Sequence, residues 1–370
     1  MSCGVLRSAR TRDRLPGLTR VRYLVTGGAG FIGSHLSDFL LARGHTVHVI
    51  DDLSTGNLEN IRHLAGRPDF ECTVGSAADA ELVHEAAAGA DAIFHLAAAV
   101  GVELVVDSPV RTIETNVHCT EVVLAAAAAA GTPVLVTSTS EVYGKSRELP
   151  YRETSDLSFG ATSTGRWAYA CSKAIDEFLA LAYWKERRLP AVVARLFNTV
   201  GPRQTGQYGM VVPRFVDRAL RGTPLTVYGD GTQSRCFCHV RDVVVALYDL
   251  LACEDAYGGV FNVGSTDEIS ILDLAHRVVA LTDSRSPIAL IPLEEAYRDG
   301  FEDMSRRVPD VSKAERVIGW RARRSLEEIV HDVAAYQTAR WEAVQQHRVG
   351  PTDVLGGAGA LQESWRHPAS

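Results

Sequence analysis

Lysine is scarce in this chain. Only four of its 38 basic residues are lysine, at positions 145, 173, 185 and 313, and the others are arginine. With so many alanines this reads as GC-rich coding, but it makes a lysine beside other chemistry-bearing residues informative. Long apolar runs are missing too. The alanine-rich stretch Val122–Ala130 is far short of the roughly 20 apolar residues that span a bilayer, which excludes a transmembrane helix and a membrane partner. There is no excess of positive charge. Acidic residues number 45 and the net charge is −7, which argues against a nucleic-acid binder. Seven scattered cysteines do not make a secreted disulfide scaffold. Cys236 and Cys238 have no second pair at zinc spacing, so even with His239 beside them they read as thiols alternating along a strand, and no metal is expected. The first twenty residues are arginine-rich and lack the apolar core of a secretory signal, so residues 1–20 are expected to be a disordered extension and the protein cytoplasmic. No internal repeat occurs. What remains is an ordinary globular balance, 46% apolar and 22% charged over 370 residues, sized for a large α/β domain with a smaller lobe.

The apolar pattern alternates between strand and helix. Short apolar runs stand at Arg22–Thr26, Thr46–Ile50, Ala92–Leu96, Val134–Ser138 and Ala191–Leu196. Helical stretches stand at Phe31–Arg43, Glu81–Ala88, Thr115–Ala130 and Ala168–Arg187. Such alternation requires right-handed crossovers and predicts an α/β, Rossmann-type doubly wound parallel sheet. After about residue 200, prolines at 202, 213, 224, 287, 292 and 309 divide the chain into shorter elements. The expected organisation is a dinucleotide-binding domain over residues 21–200 with later returns to the sheet, a smaller substrate lobe over 201–340, and a loose tail over 347–370.

Between the first strand and first helix, Gly27, Gly30 and Gly33 form G-x-x-G-x-x-G. Backbone without Cβ lets a pyrophosphate sit on the helix N-terminus, where free N–H groups and the dipole favour an anion. The next strand ends in Asp51 and Asp52. A carboxylate there accepts hydrogen bonds from ribose hydroxyls and repels a 2′-phosphate, so NAD is the expected cofactor. At the other end of the site, Thr137-Ser-Thr139-Ser140-Glu141 follows an apolar strand. Tyr169 and Lys173 stand four apart on one helical face. An ammonium near a phenol stabilises the phenolate, which makes Tyr169 a candidate general base for a sugar or alcohol hydroxyl.

These motifs resemble the extended short-chain dehydrogenase/reductase family of nucleotide-sugar epimerases and dehydratases. The resemblance runs from about residue 21 to 336. It rests on Thr26-Gly-Gly-Ala-Gly-Phe-Ile-Gly33, His95-Leu-Ala-Ala98, Thr137-Ser-Thr-Ser-Glu-Val-Tyr-Gly144, Tyr169-x-x-x-Lys173, Arg195-Leu-Phe-Asn198-Thr-Val-Gly-Pro202, and Pro224-Leu-Thr-Val-Tyr-Gly-Asp-Gly231 through Arg235. It implies that Tyr169 is the base, that Lys173 holds the nicotinamide ribose, and that Thr139 or Ser140 bonds the sugar O4. Phe31, Ile32, Leu96, Ala97 and Ala98 join the cofactor set. Asn198, Val212, Arg235 and Arg307 join a nucleotide-diphosphate sugar, taken as UDP-linked, with Leu225, Val227 and Tyr228 lying against its nucleoside. The resemblance further implies a homodimer through the helices at Thr115–Ala130 and Ala168–Arg187.

All reactions of the resembled family begin with oxidation at C4 to a 4-keto sugar. Glu141, directly after Ser140, is similar to the acid that acts on C5 in dehydratases and UDP-glucuronate decarboxylases, and a 4-epimerase needs no such acid. Met210 stands where the resembled decarboxylases carry an arginine for the uronate, and Ser140 where many dehydratases carry aspartate. Weighed together, 4-epimerisation of a UDP-sugar is the leading expectation. Decarboxylation and 4,6-dehydration are the alternatives, and a non-catalytic NAD-binding regulator is a distant one.

Overall fold

The computed structural model describes residues 20–100, 108–206, 210–292 and 304–349. Most of the expected extension at 1–20 and the tail after 349 lie outside the described residues.

Seven parallel strands form the central sheet: β1 (Arg22–Thr26), β2 (Thr46–Asp51), β3 (Phe70–Val74), β4 (Ala92–His95), β5 (Val134–Thr139), β6 (Ala191–Leu196) and, from later in the chain, β11 (Val260–Val263). Their order is β11-β6-β5-β4-β1-β2-β3, with the reversal of direction between β1 and β4. The Rossmann-type sheet read from the pattern is therefore present. Strand alternation distributes the core. Tyr23 and Val25 point to one face and Leu24 to the other; Phe94 and Ile93, and Leu135 and Val136, divide in the same way. Helices α1 (Phe31–Ala42) and α6 (Val240–Leu251) cover the first face. Helices α2 (Ala80–Ala88), α3 (Pro109–Ala130) and α4 (Ala168–Arg187) cover the second.

Two strands had no clear signal. Phe70-Glu-Cys-Thr-Val lies at the sheet edge, where Glu71 is partly exposed, so no continuous apolar run marks it. Val260-Phe-Asn-Val carries a buried asparagine whose side chain bonds the Tyr143 hydroxyl at 2.7 Å. Helix α3 begins at Pro109, not at Thr115. Proline suits the first helical position, but Val110 and Ile113 stay exposed in these turns, which hides the periodicity.

The smaller lobe holds α5 (Val211–Leu220), α7 (Ile271–Leu281) and α9 (Leu326–Val349), with α8 (Ser312–Ile318) returning to the sheet side. Its strands form three small sheets: β7 (Thr199–Val200) with β10 (Cys238–His239), β8 (Leu225–Tyr228) with β13 (Ile288–Ile291), and β9 (Ser234–Cys236) between β12 (Glu268–Ser270) and β14 (Arg306–Arg307). Cys236 and Cys238 are buried strand residues. His239 caps α6 by accepting from the Arg241 N–H at 3.0 Å, and its other ring nitrogen meets Asp332 at 3.1 Å. No helix among the described residues is long and apolar enough to cross a membrane.

Candidate active site

A cleft of about 1700 Å³ runs along the C-terminal ends of the parallel strands and under the smaller lobe. Parallel sheets bind ligands at this edge, beside the point where strand order reverses. At one end stand Gly27, Gly30, Phe31, Ile32 and Gly33. Two of these glycines are required by packing. Gly27 has φ +73°, and a Cβ there would meet the Ala97 nitrogen at 2.7 Å; one on Gly33 would meet the Gly27 oxygen at 2.2 Å. The loop thus closes tightly and leaves the N-terminus of α1 open to an anion. Asp51 is buried at the end of β2. It accepts from the Ala29 N–H at 2.9 Å and the Leu53 N–H at 2.8 Å, tying the strand to the glycine loop. Burial pushes its carboxyl above the usual range and the backbone donors oppose that shift. Asp52 is exposed and accepts from the Ser54 N–H at 2.9 Å. Both acids line the cleft, as do Leu96, Ala97 and Ala98 after β4.

The middle of the cleft carries Thr139, Ser140, Glu141, Tyr169 and Lys173. Thr139 ends β5 and its hydroxyl accepts from the Glu141 N–H at 3.2 Å, capping the turn that presents the acid. Glu141 forms an ion pair with Arg307 at 3.4 Å, both side chains largely buried. Tyr169 and Lys173 lie in the first turns of α4, and the Lys173 Nζ donates to Asp176 at 2.6 Å. Two buried tethers fix α4 against the strand ends. Glu177 accepts from Ser138 at 2.5 Å and from Arg195 through two nitrogens, at 2.9 and 2.6 Å. Asn116 of α3 accepts from the Ala99 N–H at 2.7 Å and donates to Ser172 at 3.1 Å. The catalytic candidates are thus held by elements that are themselves locked.

The smaller lobe supplies the far wall. Arg235 and Arg307 are register partners on β9 and β14, both buried and both lining the cleft. Arg307 is paired with Glu141 and Arg235 donates to the Ser234 carbonyl at 2.8 Å, and planar forks of this kind suit phosphate oxygens. Asn198 lines the cleft with φ 24°, its amide donating to the Cys236 carbonyl at 3.0 Å. Val212 also lines it. One expectation is corrected here. Leu225 and Val227 do not face the cleft; both are fully buried in the lobe's core. Strand β8 alternates, so Thr226 and Tyr228 are its cleft-facing residues. The sequence also gave no sign of Arg203, Gln204, Arg214 or the α9 residues from Tyr336 to Val344, which line the cleft. After β3, Ser76 and Ala77 line the cleft, while Asp79 caps α2.

Residues 24–333 match the family model described as GDP-mannose 4,6 dehydratase. The chain is 42% identical to a UDP-N-acetyl-alpha-D-glucosaminuronate decarboxylase of Bacillus cytotoxicus, over 79% of this chain and 90% of that protein. It is 39% identical to UDP-glucuronic acid decarboxylase 2 of Arabidopsis thaliana, over 86% of this chain and 69% of that protein. Among solved structures it superposes on the dTDP-glucose 4,6-dehydratase DesIV of Streptomyces venezuelae, crystallised with NAD, with TM-score 0.78, 31% identity and coverage of 87% and 98%. It also superposes on a UDP-glucuronic acid 4-epimerase of Bacillus cereus bound to UDP-glucuronic acid and NAD, with TM-score 0.77, 26% identity and coverage of 86% and 99%.

Proposed function

Since the chain belongs to the GDP-mannose 4,6-dehydratase family of extended short-chain dehydrogenases/reductases, we propose that it is an NAD-dependent lyase that decarboxylates a UDP-linked hexuronate through a 4-keto intermediate. The observation that carries the reading is Glu141. This acid shares the cleft with Tyr169 and Lys173, and a simple 4-epimerisation has no use for it. The names of the relatives support the same choice. Those at 42% and 39% identity are uronate decarboxylases, whereas solved 4-epimerases among the matches are 26 to 30% identical. The 4-epimerase favoured by the motifs alone therefore becomes the second reading. It keeps one specific support, Met210, a cleft residue with no charge to offer a uronate.

The chain's residues fit the cofactor and the chemistry. Side chains at Gly27 and Gly33 would collide with the surrounding backbone, so only this cradle closes tightly enough to leave the α1 N-terminus open to a pyrophosphate, and the acids after β2 suit an unphosphorylated ribose. Held by the Gly27–Gly33 loop and the acids after β2, NAD would supply the hydride acceptor and donor for C4. Tyr169, as phenolate, takes the O4 proton while Thr139 or Ser140 donates a hydrogen bond to that oxygen. The ketone stands β to the C6 carboxylate, so the C5–C6 bond breaks and its electron pair delocalises onto the ketone oxygen. Carbon dioxide leaves, C5 takes up a proton that Glu141 relays from solvent, and Tyr169 gives its proton back to O4. Arg235 and Arg307 hold the diphosphate, and Thr226 and Tyr228 border the nucleoside. The exposed Val110 and Ile113 on α3 and Ile175 and Phe178 on α4 form the apolar face of a homodimer.

The test is product analysis. Purified protein incubated with UDP-glucuronate and with its 2-N-acetyl counterpart is expected to release carbon dioxide and leave a UDP-pentose, read by mass and proton NMR. Unchanged mass with inverted C4 means the epimerase reading is correct.

A further inference from the structure

Helix α4 buries Tyr169, Ser172, Lys173, Asp176 and Glu177 on one face. Tyr169 and Lys173 reach the cleft; Asp176, one turn further along, does not line it and is fully buried. Its carboxylate nevertheless contacts the one cleft lysine, at 2.6 Å from Nζ. A buried ion pair of this kind adds little to stability compared with apolar residues of the same size. What it does do is set a counter-charge against a buried carboxylate. Burial pushes the Asp176 carboxyl up, and the Lys173 charge pulls it back down.

The groups packed around Asp176 are neutral or already paired, and in the cleft shared with Tyr169 the charged Glu141 and Arg307 are joined to each other. Beyond Asp176 lies Thr120 of α3, whose hydroxyl meets His95 at 3.0 Å; His95 in turn meets Thr26 at 2.8 Å. His95 is held down to about 3 by burial and by Lys173, so it is neutral at working pH. The Cys119 thiol of α3 is pushed up to about 11 by burial and is neutral too. Glu177, the other acid near Asp176 on α4, is bound by Arg195 and Ser138. Lys173 and Asp176 are thus the pair whose charges bear on Tyr169 from within α4.

We propose that Asp176 is a positioning residue that acts through Lys173: its carboxylate, set against the ammonium, determines how much of that positive charge reaches Tyr169. The inference rests on the proposed role of Tyr169 as the base. With the carboxylate in place, part of the ammonium's field is cancelled and the phenol stays a stronger base. Without it, the full field falls on the phenol.

The test reads Tyr169 directly and needs no sugar. Phenolate absorbance in the near ultraviolet is titrated in the NAD-loaded protein, and the same titration of Tyr169→Phe is subtracted. In Asp176→Asn, with its own Tyr169→Phe partner, the difference midpoint is expected to fall by about one pH unit. Asp176→Ser, which removes the group without keeping its shape, is expected to do the same. If sugar assays give no pentose but the midpoint falls, the reaction reading fails and this inference stands. A midpoint unmoved or raised in a folded variant overturns it. Loss of folding in both variants makes Asp176 a stability residue and overturns it as well.

Discussion

Tyr169→Phe is expected to lower turnover about a thousandfold while leaving the melting temperature and the retained NAD unchanged. The substitution removes one oxygen from a side chain that is 9% exposed and lines the cleft, so the helix and its packing have no reason to move. In the proposed mechanism the loss is of the group that exchanges the O4 proton, and no other side chain of the helix's first turn lines the cleft to replace it. Rates measured under saturating substrate separate this from a binding defect: kcat falls and KM stays near its original value. A cofactor-binding regulator without chemistry would show no difference between the two proteins. Equal turnover in the variant would remove Tyr169 from the mechanism.

The second large effect is structural and lies behind the site. Arg195→Met is expected to cost about 3–5 kcal/mol of folding stability, because it leaves the buried Glu177 carboxylate without its counter-ion. The two side chains are 6% and 5% exposed and joined by the forked contact. The double variant Arg195→Met/Glu177→Gln is expected to recover most of that loss, since the amide oxygen still accepts from Ser138 and no charge is stranded. Denaturant midpoints of the three proteins check this. Equal losses in the single and double variants would mean that charge burial is not the cause. The same pair matters for activity, because Ser138 precedes the turn that carries Thr139, Ser140 and Glu141.

Much of this arrangement was legible in the sequence, for reasons that can be named. The glycine loop reads clearly because only residues without Cβ fit between Gly27, Gly33 and Ala97. Strand β6 and helix α4 matched their apolar patterns to the residue because each is buried along a continuous face. Tyr169 and Lys173 were readable because helical spacing alone puts them on one face. The failures have equally local causes. The β8 motif does not tell its residues apart, whereas a strand sends neighbours to opposite sides, so Thr226 and not Leu225 faces the cleft. Strand β3 sits at an edge and carries a glutamate, and β11 hides behind Asn262. Arg203, Arg214 and the far half of α9 approach the cleft only through tertiary packing, which leaves no periodic trace. Asp176 reads as an ordinary polar helix residue until its burial against Lys173 is seen. The choice between decarboxylase and epimerase turned on Glu141 and Met210, two residues that point opposite ways, and motif spacing has no means of weighting them.

The central claim is that the cleft oxidises C4 of the sugar and reduces it again within one turnover. A UDP-hexuronate carrying deuterium at C4 tests it directly. The account predicts a UDP-pentose, lighter by carbon dioxide, with the deuterium still on C4 after many turnovers without added cofactor. A pentose that has exchanged its C4 label with solvent, or a sugar recovered unaltered, would contradict it.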